Sequence, residues 1–204
     1  MAPIVSRIIL AAGLGARMGR TKALLDFGGA TALELLARCR FGALGAETIV
    51  VVGHDADAVR READRLGLRT VANLDYRRGR ATSLRVGIAA ADPHAAHIAL
   101  QPVDIPLVSQ ATYDLLAREL ADPANVDSVI VPSHAYRRGH PVLVPRRLVR
   151  LLAEKADEES PRPLLFGDPR YVRHVVVDDP WTLVDLDSPE DYEAARRRYE
   201  AVDP

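Results

Sequence analysis

Apolar positions along this chain follow two rhythms. Short, nearly continuous runs at Arg7–Ala12 (RIILAA), Thr48–Val52 (TIVVV), Arg69–Ala72 (RTVA), His97–Leu100 (HIAL) and Ser128–Val131 (SVIV) predict strands buried on both faces, as in parallel sheets. Between them, Thr31–Arg40, Ala56–Gly67, Thr82–Ala91 and Ser109–Ala121 carry apolar residues three to four positions apart, the spacing of amphipathic helices. Regular alternation of the two predicts an α/β fold with right-handed crossovers and an open, doubly wound sheet.

After Pro132 the rhythm changes. Arg137–Val144 (RRGHPVLV) predicts a turn and a strand, Arg146–Lys155 a short helix, and Tyr171–Val177 and Thr182–Leu186 two further strands. Ala156–Pro163 (ADEESPRP) is charged and contains proline, which predicts a mobile loop. A last helix spans Ser188–Glu200, with Ser188 as N-cap, Pro189 at the first helical position and Asp191 placed to cap rather than to react. No repeat or long linker divides the chain, so residues 1–204 read as one domain.

Composition narrows the classes. The chain is 48% hydrophobic and 27% charged with a net charge of −1, which fits a folded globular protein without general affinity for nucleic acid or anionic membrane. Basic residues cluster at Arg77, Arg78 and Arg80 and at Arg137 and Arg138, which suits a small anionic substrate or simply a solvated face. Cys39 is the single cysteine and lies on an apolar helical pattern, so no intramolecular disulfide or cysteine-based metal site is expected. No run approaches the roughly 20 apolar residues that span a bilayer. The first apolar run leads straight into a glycine loop that a signal peptide would discard, so the expected location is cytoplasmic.

That loop, Leu10–Lys22 (LAAGLGARMGRTK), sits where α/β folds gather backbone N–H groups around phosphates. It is not a dinucleotide fingerprint, because position 18 is Met and the glycine comes at 19. Neither is it a Walker A loop, because Thr21 precedes Lys22 and no Gly-Lys pair occurs. It is a longer loop carrying Arg17 and Lys22, two cations suited to a triphosphate and then to departing pyrophosphate. Asp104 follows the fourth predicted strand in Asp-Ile-Pro, at the ligand-binding edge of an open sheet. There a carboxylate can hold Mg²⁺ or, alternatively, cap its own turn.

Five segments in order resemble the MobA-like nucleotidyltransferase family: LAAGLGARMGRTKALL from Leu10, NLDYRRGRATSLRVGI from Asn73, PVDIPLVS from Pro102, RRGHPVLV from Arg137 and DLDSPEDY from Asp185. The resemblance covers nearly the whole chain and implies a three-layer α/β fold of the nucleotide-diphospho-sugar transferase (GT-A) type, with a mixed, mostly parallel sheet. It divides the domain into a nucleotide-binding half (1–108) and an acceptor-binding half with the C-terminal helix (109–204). The implied reaction joins a nucleoside monophosphate to a phosphorylated acceptor, with Mg²⁺ and release of pyrophosphate. On that resemblance Leu10, Ala11, Ala12, Gly13, Gly15, Arg17, Lys22, Asn73, Gly79, Ser83 and Asp104 bind nucleotide. Arg17, Lys22 and Asp104 are catalytic, Asp104 and Asp187 hold the metal with Asp185 in reserve, and Arg80, Gly139, His140, Pro141 and Arg162 meet the acceptor.

The LAAG form is similar to the cytidylyl-transferring MocA-like branch, implying CTP and a molybdopterin-type acceptor, with a molybdoenzyme as an eventual partner. Arg80, the Ser160–Leu165 stretch and Asp26 depart from the family pattern, the first two on the acceptor side. Three alternatives stay open: another phosphorylated acceptor such as a sugar phosphate, a sugar-nucleotide glycosyltransferase using Asp185-Leu186-Asp187, and a non-catalytic molybdenum-cofactor carrier or insertion chaperone.

Overall fold

The computed structural model describes residues 4–155 and 162–201. The elements alternate as the periodicity predicts: β1 (Val5–Ala11), α1 (Ala32–Arg38), β2 (Gly45–Val52), α2 (Ala56–Arg65), β3 (Arg69–Ala72), α3 (Arg80–Ala90), β4 (His97–Pro102), α4 (Gln110–Ala121) and β5 (Val129–His134). The second half adds β6 (Arg137–Arg138), β7 (Val142–Pro145), α5 (Arg146–Lys155), α6 (Arg162–Phe166), β8 (Val172–Val176) and α7 (Pro189–Glu200). Arg162 and Pro163 of the predicted mobile loop open α6, and its residues 156–161 lie outside the described residues.

All described strands join one sheet. Its order is β3-β2-β1-β4-β7-β5-β6, with β8 pairing β5. β1, β2, β3 and β4 are mutually parallel, β8 runs parallel to β5, and β7 runs antiparallel to both β4 and β5. The chain therefore forms the mixed α/β sheet expected, with β7 as the strand that breaks the parallel run.

Strand side chains alternate between two helical layers. Ile8, Ile49, Val51, Ile98, Leu100 and Val144 face α3, α5 and α6 through Leu84, Leu148, Leu152 and Leu165. Ile9, Val50 and Val52 face α1 and α2 through Leu33, Leu36, Val59 and Ala63. On the same side, Ala99, Ile130 and Leu143 pack on α4 through Tyr113, Leu116 and Leu120. Burial on both faces is what gives the strands their unbroken apolar runs. Arg7 is the charged exception within β1. It is 3% exposed, and its guanidinium donates to the Leu36 and Cys39 carbonyls at 2.9 and 2.8 Å, closing the C-terminal end of α1. Cys39 follows that helix half-buried and donates to the Val108 carbonyl at 3.3 Å.

Thr182–Leu186 is not a strand. Pro180–Leu183 forms a short 3₁₀ turn, and residues 184–187 run irregularly to α7. Asp179 caps the turn by accepting from the Trp181 N–H at 3.1 Å. The same carboxylate, 5% exposed, accepts from the Ser109 N–H, Ser109 Oγ and Thr112 Oγ1 at 2.9, 2.9 and 2.7 Å. An Asp-Pro start over an N-cap carboxylate outweighs the apolar run that follows it. The tail is thus pinned to the N-terminus of α4, which brings Asp187 to the carboxyl end of the sheet. The Ser188–Asp191 capping box forms as expected, with Ser188 N–H donating to Asp191 at 2.9 Å.

Candidate active site

β1 delivers the glycine loop to the carboxyl edge of the sheet. Ala12 accepts the His54 N–H at 3.2 Å, tying the start of the loop to the end of β2. The loop then folds back on Gly15, whose carbonyl accepts the N–H groups of Met18 and Gly19, both at 2.9 Å. Gly15 has φ +56°, and a Cβ there would lie 2.8 Å from the Arg20 carbonyl oxygen, so the turn requires glycine. Met18 is 3% exposed and anchors the loop in an apolar cluster with Leu25, Phe27, Leu186 and Tyr192, leaving Arg17 out in solvent.

Three carboxylates and two cations converge here from widely separated parts of the chain. Lys22 Nζ lies 3.1 Å from Asp104 Oδ2 and 2.8 Å from Asp187 Oδ1, and Arg17 reaches Asp187 Oδ2 at 3.0 Å. The Leu186 N–H donates to the Asp104 carbonyl at 2.9 Å, which fixes the tail against the end of β4. Burial works against the Lys22 ammonium, but hydrogen bonds and charge from Asp187 and Asp104 outweigh it and hold its pKa above the ordinary value. The Lys22 hydrogen bond, supported by Arg17, holds Asp187 below the usual carboxylate range. Burial raises Asp185, and the negative charges of Asp104 and Asp187 raise it further.

These directions fix a pH dependence. A depressed Asp187 contributes stability that is present above about pH 4 and lost as pH falls through its folded pKa. A raised Lys22 contributes stability that is present below about pH 10 and lost as pH rises through its folded value. The melting-temperature difference between wild type and Lys22→Met should therefore stay flat from pH 5 to 9 and shrink below about pH 4 and above about pH 10. Thermal melts across that range measure it, and a slope near neutrality would place the cluster's titration elsewhere.

Arg17, Lys22, Asp104 and Asp187 line a cleft of about 290 Å³, lined also by Leu10 to Gly13, Gly15, Thr21, Tyr76, Arg80 and Ser83. A larger cavity of about 990 Å³ adjoins it, and Leu10, Arg80 and Pro102 line both. Gly79, Gly139, His140 and Arg162 line this second cavity. Gly139 abuts Thr182: a Cβ would lie 2.6 Å from both the Thr182 Cβ and its carbonyl oxygen. Burial pushes His140 down to about 4, so its ring is neutral at physiological pH, and its Nδ1 is buried without a partner.

Asn73, Pro141 and the reserve ligand Asp185 line neither cavity. Asn73 is 2% exposed and donates to Thr82 Oγ1 at 2.8 Å and Ser83 Oγ at 2.9 Å, fastening the first turn of α3. Pro141 is buried at the entry to β7. Sequence reasoning passed over Tyr76 and Thr21, which line the cleft, and over Asp55, which accepts from the Thr21 hydroxyl. Tyr76 had a signal, its place in the Asn73-to-Gly79 motif. Asp55 had none, because only the fold brings the end of β2 beside the loop. Arg78, Arg137 and Arg138, legible only as basic clusters, all line the larger cavity.

Among the described residues no group of three or more His, Cys, Asp or Glu side chains forms a metal cage. Asp104 and Asp187 nonetheless share one ammonium, and two hard oxygen donors of that kind fit a divalent cation that keeps water at its other positions.

A glycine loop, two cations and paired carboxylates at the carboxyl edge of a mixed sheet make an anion-binding site with the charges that nucleotidyl transfer requires. The chain belongs to the family of the MobA-like NTP transferase domain, which matches residues 7–174. It is 27% identical over 196 residues to the molybdenum cofactor cytidylyltransferase of Escherichia coli (strain K12), covering 96% of this chain and 97% of that protein. It is 32% identical over 194 residues to the nicotine blue oxidoreductase of Paenarthrobacter nicotinovorans, covering 92% of this chain and 94% of that protein. A Mycobacterium tuberculosis H37Rv protein, solved in complex with manganese, superposes with a TM-score of 0.75 at 28% identity, over 97% of this chain and 100% of that one. Among the described residues no helix is long and apolar enough to cross a membrane.

Proposed function

We propose that this protein transfers a nucleoside monophosphate, from CTP by preference, to the phosphate of a molybdopterin-type cofactor and releases pyrophosphate. The observation that carries this reading is the junction of the two cavities. The cleft with Arg17, Lys22, Asp104 and Asp187 opens beside Arg80 into a larger cavity with room for an acceptor. Similarity to the Escherichia coli cytidylyltransferase supports the acceptor and the base.

Arg17 and Lys22 take the triphosphate and then the charge that develops on pyrophosphate. Both now rest on Asp187, so a bound nucleotide exchanges that carboxylate for phosphate oxygens. Asp104 and Asp187 would hold a divalent cation such as Mg²⁺, which would supply charge neutralisation to the reacting phosphates. The attacking acceptor phosphate is already anionic, so the chain needs to position it rather than deprotonate it. His140, neutral and without a free proton acceptor at the surface, lines the acceptor side without serving as a base.

Base choice rests on Ala12. It is 2% exposed, and its methyl occupies space that Gly53 leaves open, since a Cβ at Gly53 would lie 2.8 Å from it. Ala12→Gly enlarges that end of the cleft and should shift the CTP-to-GTP ratio of kcat/KM toward GTP by about tenfold or more. An unchanged ratio would remove Ala12 from base selection. The deciding experiment is pyrophosphate release with Mg²⁺ and each of CTP, GTP, ATP and UTP, with and without molybdopterin cofactor. Cofactor-dependent release from CTP is expected. Release only with a sugar phosphate would replace the acceptor, and binding of cofactor without any release would favour a carrier.

A further inference from the structure

Two residues placed to cap their own helices bond to each other instead. Thr21 is the N-cap of the 3₁₀ turn Lys22–Leu24 and Asp55 the N-cap of α2, yet neither side chain accepts from the N–H groups of its own element. The Thr21 hydroxyl donates to Asp55 Oδ2, from 34 positions away in the chain. His54 Nε2 stands 3.6 Å from the same oxygen, beyond hydrogen-bond reach, so Thr21 is its partner. Threonine and aspartate are both favoured N-caps, and leaving two caps unmade is destabilising. Asp55 adds backbone strain, with φ +49° and ψ +35° in the left-handed region that residues other than glycine adopt at a cost. Strain of this kind persists where the residue has a use that a relaxed turn would not serve.

The use lies in what the cross-link holds. One residue earlier, the His54 N–H donates to the Ala12 carbonyl at 3.2 Å, and a Cβ at Gly53 would stand 2.8 Å from the Ala12 Cβ. The turn after β2 therefore grips the glycine loop at both ends, residue 12 through backbone and residue 21 through the Asp55 carboxylate. Gly13, Gly15 and Arg17, which line the catalytic cleft, hang between the two grips. Directly after the second grip comes Lys22, whose ammonium reaches Asp104 and Asp187. Asp55 lines neither the cleft nor the larger cavity, so it acts on a bound phosphate only through Thr21.

We propose that Asp55 is a positioning residue for the triphosphate: by holding the Thr21 hydroxyl it closes the glycine loop and sets the Lys22 turn before a nucleotide arrives. This rests on the Leu10–Lys22 loop being the phosphate side of the reaction proposed above, and it is independent of base and acceptor. It also carries a sign. A carboxylate near a polyanion repels it, so charge alone makes removal of Asp55 tighten phosphate binding, whereas loss of a preorganising clasp weakens it.

Calorimetric binding of inorganic tripolyphosphate to the full chain reads that sign without any chemical step. Asp55→Gly deletes the carboxylate while glycine accepts the left-handed backbone. Its melting temperature should stay within about 2 °C of wild type while tripolyphosphate binds about tenfold more weakly. Asp55→Asn keeps an acceptor oxygen and tolerates the backbone, so it should bind at least as tightly as wild type. Thr21→Val should weaken binding as much as Asp55→Gly, and the two together should be no weaker than either alone. If Asp55→Gly melts lower than expected, Thr21→Val carries the test, because it disturbs no left-handed residue. Unchanged or tighter binding by Asp55→Gly and Thr21→Val overturns the proposal, even if CTP and molybdopterin cofactor give pyrophosphate. Additive losses in the double variant overturn it as well, since each side chain would then act alone. A loss shared by the two variants and absent from Asp55→Asn supports it, and without pyrophosphate release rejects only the reaction named above.

Discussion

Lys22→Met should lower the rate of pyrophosphate release by about 10²- to 10³-fold while leaving the protein folded, the scale observed when one preorganised charge donor is removed from a reacting centre. The reason is local. Among the described residues Lys22 is the one cation paired with both carboxylates, 3.1 Å from Asp104 and 2.8 Å from Asp187, and its side chain is only 16% exposed. Methionine keeps the apolar stem and deletes the ammonium. The variant then faces a triphosphate with three neighbouring carboxylates, Arg80 at the far side of the cleft and Arg17, which is 75% exposed and strongly screened. Arginine should not rescue it, because a planar fork cannot occupy the space of a compact ammonium between two carboxylates. Initial rates at saturating nucleotide, with circular dichroism as the control for folding, measure this. A rate within threefold of wild type would show that the phosphates are held elsewhere.

Gly139→Ala should destabilise the fold by about 3 kcal/mol, the upper range for forcing a methyl into a packed core, and lower the melting temperature by roughly 6–12 °C. The added Cβ would meet the Thr182 Cβ and carbonyl at 2.6 Å and its Oγ1 at 2.7 Å. Thr182 has no room to yield. It is fully buried, its hydroxyl donates to the Asp179 carbonyl at 2.8 Å, and its carbonyl accepts the His140 N–H at 3.0 Å. The strain passes to the segment that carries Asp185 and Asp187, so activity should fall even below the melting temperature. Thermal melts together with rates at low temperature separate the two losses. A variant as stable as wild type would show that the contact between the hairpin and the tail can relax.

Both residues were visible in the sequence for different reasons than the ones that make them sensitive. Lys22 stood out because a glycine loop after a strand-like run at the carboxyl edge of a sheet has few uses other than holding an anion. Gly139 stood out only as part of Arg-Gly-His-Pro, and nothing in that stretch announced Thr182, more than forty positions away. Strands β1 to β5 and helices α1 to α4 were legible because burial on both faces of a sheet and on one face of a helix leaves periodic marks. Thr182–Leu186 is not the strand that its apolar run predicts. An Asp-Pro cap, with Asp179 buried against Ser109 and Thr112, turned it into a 3₁₀ segment instead.

What the sequence by itself determined is therefore local: the alternating elements, the glycine loop Leu10–Lys22, the capped final helix, and the side chains available for phosphate chemistry. Each depends on residues a few positions apart, where backbone preference and hydrophobic period act directly. Only the tertiary structure decided which distant groups meet. It set Lys22 between Asp104 and Asp187, moved Asn73 from the cleft to a support of α3, and gathered separate basic clusters around one cavity. Those outcomes follow from strand order and from the pinning of the tail, and packing of that kind leaves no periodic trace along the chain.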